Sequence, residues 1–429
     1  MRDTILDVER VRPFLGRLCD PGMALELLVS RVTVDGSGPL RVLYEAAGSG
    51  KVSFITAERV APEQGPVLEE KLNRRFETSV PGYAQPTAYV PELGFLLLAF
   101  PADLHLPSLA TAADGLAMSP VLDAALGPRV RAVEVDAVRY KPGRQCVLRY
   151  GVTWMGAHTE TVYGKVAERP KFDRAREALV RLGAVTDGLR FRLPTSRGAV
   201  PSLCLDLFAP MPGLALSDCS ESDDFLDLCA RAGEALHELH GLPVTLSSER
   251  DLRAQLSRLA EAAVTLAWLL PTSTERIEAL HGALRAALET AAPARRRPIH
   301  GDFHMDNVLV SGSRLGFVDL EDATMGDPAD DVGWAWAQLT WLAIKAGGLT
   351  PAFQVGRQAL LSAYLARTDT ETATRVPLYA ALGCFLFAAR CVCNFRRRAR
   401  HTHAESLLAV CEGLLEQGAP ADAALSGAP

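Results

Sequence analysis

Apolar residues turn mainly to helical spacing near residue 220 of this chain, and that change limits what it can fold into. Upstream, 133–140, 146–152 and 161–167 are short runs rich in β-branched and aromatic residues. Turn signals at Lys141-Pro142-Gly143-Arg144 and Met155-Gly156 separate them, so each run predicts a strand. Downstream, Phe225, Leu228, Cys229, Ala232, Leu236 and Leu239 recur at three- and four-residue steps, the period of an amphipathic helix. The same spacing predicts helices over 252–269, 277–288, 355–365 and 378–392. One strand-like island, 300–319, breaks the helical half. Strands gathered first and helices after make an α+β chain.

With 429 residues the chain exceeds one ordinary domain. Residues 1–128 read as an accessory α/β module. Its strand candidates 40–44 and 51–55 flank the turn Ala47-Gly48-Ser49-Gly50, and an apolar run follows at 94–100. Net charge is −6, from 45 basic and 51 acidic residues. That balance offers no general attraction to nucleic acid or anionic lipid. The first ten residues lack the apolar core of a signal peptide. The most apolar late stretch, 378–393, is interrupted by Arg390 and falls short of the roughly 18–20 residues of a membrane span. It reads as a buried core helix. The nine cysteines are scattered, and Cys391 and Cys393 have no second pair at zinc-ligand spacing. Packing and a reducing cytoplasm are the expectation.

The island runs His300-Gly301-Asp302-Phe303-His304-Met305-Asp306-Asn307 and continues to Asp319. Residues 308–310 and 315–318 are short apolar strands around Gly312-Ser313, a hairpin signal. A turn centred there sets Asn307 opposite Val318 or Asp319, with Cα atoms of directly opposed residues about 4.5–5.5 Å apart. Asn307 and Asp319 then share the open end of the hairpin, and Asp302 arrives from the preceding loop. Both Asn307 and Asp319 offer the oxygen ligands that Mg²⁺ prefers. Phosphoryl transfer suits such a set, because it needs positioning and charge neutralisation more than covalent help. One carboxylate orients the hydroxyl and takes its proton, while the other and the amide hold metal. A surface hairpin with solvated acids is the plainer alternative. The density of His300, Asp302, His304, Asp306 and Asn307 within eight residues argues against it.

The stretch from His300 to Asn307 resembles the catalytic loop of the aminoglycoside phosphotransferase and choline-kinase-like family. Phe317-Val318-Asp319 and Gly326-Asp327-Pro328 are similar to that family's following elements, and Leu236-His237-Glu238-Leu239-His240 to its upstream helix end. The resemblance covers roughly 130–415. It implies a bilobal protein-kinase-like fold: a β-rich nucleotide-binding lobe over 129–208 and a mostly helical lobe over 209–429. It further implies ATP and Mg²⁺ as cofactors, Asp302 as catalytic base, and Asn307 and Asp319 as metal ligands. Asp331 matches the residue that braces the catalytic loop, although an N-cap for the following helix explains it as well. His300 shapes the loop, and Asp327 is structural.

The resemblance also implies that Lys165, in Thr161-Val162-Tyr163-Gly164-Lys165, contacts the α- and β-phosphates. Glu177, on the next predicted helix, is its candidate ion-pair partner, or else a solvated acid off the apolar stripe. The turn 141–144 would cover the phosphates. It is not a Gly-x-Gly-x-x-Gly loop, and no Walker-type motif occurs. Residues 205–208 are the candidate hinge at the adenine edge.

The acceptor is the open question. Glu321, Asp322, Asp327 and Asp330 are compatible with a basic acceptor, though surface acids elsewhere are as dense. The basic run 396–398 is read as solvated. The leading expectation is an ATP- and Mg²⁺-dependent phosphotransferase acting on a small-molecule hydroxyl of an antibiotic, sugar or related metabolite. A kinase for Ser or Thr hydroxyls of a peptide is a second reading, and a nucleotide-binding pseudokinase a third.

Overall fold

The computed structural model describes residues 4–15, 17–18, 26–48, 51–76, 85–127, 129–156, 158–185, 188–347 and 351–417. The chain forms two compact units. One comprises Met1–Phe172, Ser196–Pro210 and Cys393–Arg398, the other Asp173–Thr195, Met211–Val392 and Ala399–Pro429.

The first unit holds two five-stranded antiparallel sheets. Strands Glu26–Asp35, Gly38–Gly48, Lys51–Arg59, Phe95–Ala99 and Thr87–Val90 lie in that order in the first. The two strands expected from 40–44 and 51–55 are thus longer than predicted; Ser49 and Gly50 of the turn between them lie outside the described residues. All five residues of Phe95–Ala99 are buried, because both faces are covered. Leu97 and Ala99 pack with Val11 and Leu15 of helix Val8–Leu15, whereas Leu96 and Leu98 pack with Leu72 of helix Gly65–Arg75. A continuous apolar run is what a strand buried on both faces requires.

The second sheet orders Ser196–Val200, Leu205–Phe208, Thr159–Ala167, Gln145–Trp154 and Val130–Lys141. Its three long strands match the predicted runs, each extended by one or more residues at both ends or at the first end alone. Leu148, Tyr150 and Val166 of this sheet share a core with Leu109, Met118 and Leu122. Phe54 and Phe100 meet Tyr140 at ring-centroid distances of 5.7 and 5.2 Å. Residues before and after position 128 therefore bury one another's apolar surface within this unit. Cys393–Arg398 belongs here too: Phe395 packs on the first sheet's core, and Arg396, expected to be solvated, pairs with Glu45.

The second unit is mostly helical, with helices Phe225–Gly241, Leu252–Leu269, Thr274–Thr290, Pro328–Lys345, Pro351–Leu365, Thr370–Val392 and Arg400–Gln417. At its centre lies Pro328–Lys345, buried on all sides over most of its length, as a helix surrounded by other helices must be. Helix Thr370–Val392 crosses it closely: a Cβ on Gly333 would lie 2.3 Å from the Tyr379 carbonyl carbon. This helix is longer than the expected 378–392 and, at 23 residues, is long and apolar enough to span a membrane by length and composition. Its apolar window is 72% buried, so those side chains are packed within the unit as the core reading expects. Two small sheets complete the unit. One orders Leu214–Ala215, Val308–Ser311, Arg314–Phe317 and Phe191–Arg192; the other pairs Arg297–Ile299 with Thr324–Gly326. The first unit is rich in strands and the second in helices, an α+β chain.

Candidate active site

The island 300–319 is a loop closed at its base. The chain leaves on Arg297–Ile299 and returns on Thr324–Gly326, with Ile299 paired to Thr324. Between them stands the predicted hairpin, with Val308 opposite Phe317 and Ser311 opposite Arg314. The Val318 N–H donates to the Asn307 carbonyl at 3.0 Å, so Asn307 faces Val318 and Asp319 follows at the hairpin's mouth. Asp319 has φ 68° and ψ 46°, a left-handed conformation unusual for a residue other than glycine. Strain of that kind gathers at functional sites and persists only where the surroundings enforce it. Gly301 (φ +80°) opens the loop where a Cβ would lie 2.0 Å from the Asp322 carbonyl oxygen; only glycine permits both the conformation and the approach.

Backbone and side chains fix the loop from several directions. The fully buried His300 ring has Nε2 3.0 Å from the Val318 carbonyl and Nδ1 3.4 Å from the Asp302 N–H. Nε2 therefore carries the proton and donates, while Nδ1 accepts. Asp331, 1% exposed, accepts from the backbone N–H of His300 at 2.6 Å and of Gly301 at 2.8 Å. His240 Nε2 lies 3.2 Å from the same carboxylate, and its Nδ1 lies 2.8 Å from the Tyr364 hydroxyl. The N-cap of helix Pro328–Lys345 is Asp327, which accepts from Ala329 N–H and pairs with Arg375 at 2.7 Å.

Asp302 sits at the focus. Trp334 Nε1 donates to its Oδ1 at 2.9 Å, and Arg390 lies 3.6 Å from the same oxygen. His304 Nε2 is 3.5 Å from Oδ2. The Asn307 side-chain amide donates to the Asp302 carbonyl at 2.9 Å, which assigns its nitrogen and leaves the amide oxygen as the group with ligand chemistry. His304 is buried with Nδ1 unsatisfied among the described residues. Asp306 takes hydrogen bonds from Ser217 and Gln338.

Among the described residues no group of three or more His, Cys, Asp and Glu stands ready to hold a metal alone. An Asn amide oxygen with one carboxylate is a short, oxygen-only set. That is the kind of set Mg²⁺ accepts when phosphates and waters complete its shell, so the residues present fit the ion.

Asp302, Asn307, Asp319, His300 and Asp331 thus belong to one connected loop and its brace. Lys165 lies in the first unit, on strand Thr159–Ala167 between Val147 and Asp206 of the neighbouring strands. Glu177 lies in the second, where its carboxylate accepts from the Ser247 backbone at 3.1 Å and from the Ser247 hydroxyl, and pairs with Arg181 at 2.9 Å. In the turn 141–144, Gly143 (φ +67°) donates its N–H to Asp103 at 2.8 Å, and Arg41 donates to the Pro142 carbonyl at 2.7 Å.

Sequence reasoning missed the arginines that reach the loop and Asp330 from elsewhere in this unit. Arg250 donates to the Gly301 carbonyl at 2.9 Å and to Asp330 at 2.7 Å, and Arg258 reaches Asp330 at 3.2 Å. Burial, the largest influence on the Asp330 carboxyl, pushes its pKa up; Arg258 and Arg250 together outweigh that and hold it below the usual carboxylate range. Two guanidiniums lie near the Trp334 ring, Arg258 at 5.7 Å and Arg390 at 5.6 Å from its centroid.

Residues 163–368 match the model of a family described as the phosphotransferase enzyme family. The match takes in every site residue from Lys165 to Trp334 and ends before Arg390. A search among curated proteins finds no match. Solved structures similar to this chain include a choline/ethanolamine kinase family protein from Mesorhizobium loti, 20% identical, covering 74% of this chain and 97% of its own at TM-score 0.48. An aminoglycoside phosphotransferase in ternary complex with ADP and hygromycin B is 14% identical, with coverages of 70% and 98% and TM-score 0.48. A choline kinase from Cryptosporidium parvum Iowa II is 11% identical, with coverages of 66% and 89% and TM-score 0.44.

Proposed function

We propose, for a chain whose residues 163–368 match the model of the phosphotransferase enzyme family, an ATP- and Mg²⁺-dependent transfer of the γ-phosphoryl group to a hydroxyl of a small molecule. The observation that carries this reading is Asp302, a carboxylate set by the Trp334 indole N–H at 2.9 Å on a loop braced by Asp331. A carboxylate so placed orients an acceptor hydroxyl and takes its proton as the oxygen bonds to phosphorus. Asn307 and Asp319 would hold Mg²⁺, which when bound neutralises charge on the nucleotide phosphates. Lys165 is assigned to the α- and β-phosphates, and Glu177 is assigned to nucleotide binding. His300 and Asp331 act through the loop. They keep the Asp302 backbone in register with the hairpin that carries Asn307 and Asp319.

The test is an acceptor screen with ATP and Mg²⁺, reading the added phosphoryl group by mass spectrometry, followed by Asp302→Ala. Loss of a general base should lower kcat by on the order of 10²–10⁴. A variant that keeps wild-type turnover would exclude Asp302 as the base.

A further inference from the structure

The cation beside the candidate base says which acceptor that base serves. Arg390 occupies the last turn of helix Thr370–Val392. Its guanidinium carbon lies 5.6 Å from the ring centroids of both Trp334 and Phe387, and those two rings are 4.2 Å apart. Its nearest carboxylate oxygen is Asp302 Oδ1 at 3.6 Å, beyond hydrogen-bond reach. Trp334 already donates to that oxygen. Among the described residues, nothing accepts a hydrogen bond from the Arg390 guanidinium, and its side chain keeps 29% of its exposure.

The other arginines near the site differ. Arg250, Arg258 and Arg375 are each hydrogen-bonded to a carboxylate, Asp330 or Asp327. Those bonds also neutralise two of the acids that made a basic acceptor compatible with the sequence. A cationic acceptor group could not use the Trp334 and Phe387 faces as a cation–π seat, because resident guanidiniums already lie over them. It would also meet Arg390 itself, a like charge. A guanidinium that rests near rings and donates to no acceptor keeps its N–H fork available, and that fork matches the two oxygens of a carboxylate or phosphate.

We infer that Arg390 is the acceptor-specificity residue, and that the substrate is an alcohol carrying an oxyanion group a few bonds from the reacting hydroxyl. This rests on the phosphotransferase reading above. The hydroxyl sits at Asp302, the anionic group sits on the Arg390 fork, and the rings of Trp334 and Phe387 hold that fork in place.

The experiment presents ATP and Mg²⁺ with three sets of alcohols matched in size: neutral, cationic and anionic. The anionic set has separate carboxylate and phosphate arms, which show which oxyanion is used. Product is expected from the anionic set alone. Arg390→Gln should raise KM for that acceptor about 10- to 100-fold, the worth of a charge-assisted hydrogen bond, with KM for ATP within a factor of about two. Arg390→Lys, which keeps the charge but loses the fork, should fall between. A loss of folding in either variant would show as a changed KM for ATP and a lowered melting temperature. In that case the wild-type preference among the three sets decides alone. Preferred turnover of neutral or cationic alcohols overturns the Arg390 assignment and leaves phosphoryl transfer standing. So does an Arg390→Gln effect confined to KM for ATP. Absence of product from every set removes the assignment and the reading beneath it together.

Discussion

Asp331 offers the sharpest test of how the loop is held. Its two carboxylate oxygens receive the His300 and Gly301 N–H groups and face His240 Nε2, and the group is 1% exposed. Removing it in Asp331→Ala leaves those donors without an acceptor where water does not reach. A buried donor left unsatisfied costs about 1–3 kcal/mol, and hydrogen bonds to a charged acceptor contribute about 1.5–3 kcal/mol each. The three interactions share one carboxylate, so they do not add. Breaking a buried charged group out of its network costs about 3–5 kcal/mol as a whole. In a unit of this size 1 kcal/mol corresponds to about 2–4 °C, so the expected fall in melting temperature is roughly 6–20 °C. Asp331→Asn should do little better, because its amide nitrogen would confront one of the two N–H donors that the carboxylate accepts. Below the melting transition the loop stays folded but loses its anchor one residue from Asp302. The expected kinetic signature is a kcat that falls more than KM for either substrate. Urea or thermal unfolding combined with steady-state kinetics measures both. An Asp331→Ala protein with the wild-type melting temperature and kcat would refute the bracing argument outright.

Two further outcomes follow from single residues. Gly301→Ala places a Cβ 2.0 Å from the Asp322 oxygen at a φ of +80°. It should cost more than the roughly 1–3 kcal/mol of a strained backbone alone, read as a lower denaturation midpoint. His105 tests the first unit: its hydrogen bond to Glu58 raises its pKa above the usual 6.5, against a burial that lowers it. A raised folded-state pKa contributes stability that is fully present below pH 6.5 and is lost as pH rises through the higher folded value. Because the ring is 41% exposed, solvent screens most of the effect. The slope should be small and should vanish in Glu58→Gln, checked by unfolding at a series of pH values.

Much of the site was legible because its signals are local. The hairpin 308–317 rests on two apolar runs and a Gly-Ser turn, and its register followed from counting outward from that turn. Helix Leu252–Leu269 coincides with the predicted 252–269 because its apolar period and its N-cap, Asp251, agree. Helix Thr370–Val392 begins eight residues before the predicted 378. Pro377 lies inside it, and it starts where Asp369 accepts from Thr372 N–H at 2.6 Å. Asp330 could not be assigned from sequence: its partners Arg250 and Arg258 lie 80 and 72 positions away. Nor could Arg390, which reads along the chain only as a charge interrupting an apolar run. Partners that meet through tertiary packing leave no periodic trace in the sequence.

The same limit explains residues 1–128, which by composition look like a detachable module. Within the first unit they supply more than a neighbouring surface. Asp103, 3% exposed, accepts from Gly143 N–H and from the Tyr140 hydroxyl at 2.7 Å. Arg41 pairs with Glu58 at 2.7 Å while donating to the Pro142 carbonyl, and a Cβ on Gly143 would lie 2.4 Å from the Arg41 guanidinium. The turn 141–144 has no glycine-rich loop of its own to set its shape. In this chain the shape comes from outside, through one buried carboxylate and one guanidinium. Cutting the chain at 128 would remove both and uncover the ring of Tyr140 where Phe54 and Phe100 now lie. A truncated chain therefore lacks the walls of that turn, and its loss of activity would say nothing about a docking role for the missing residues.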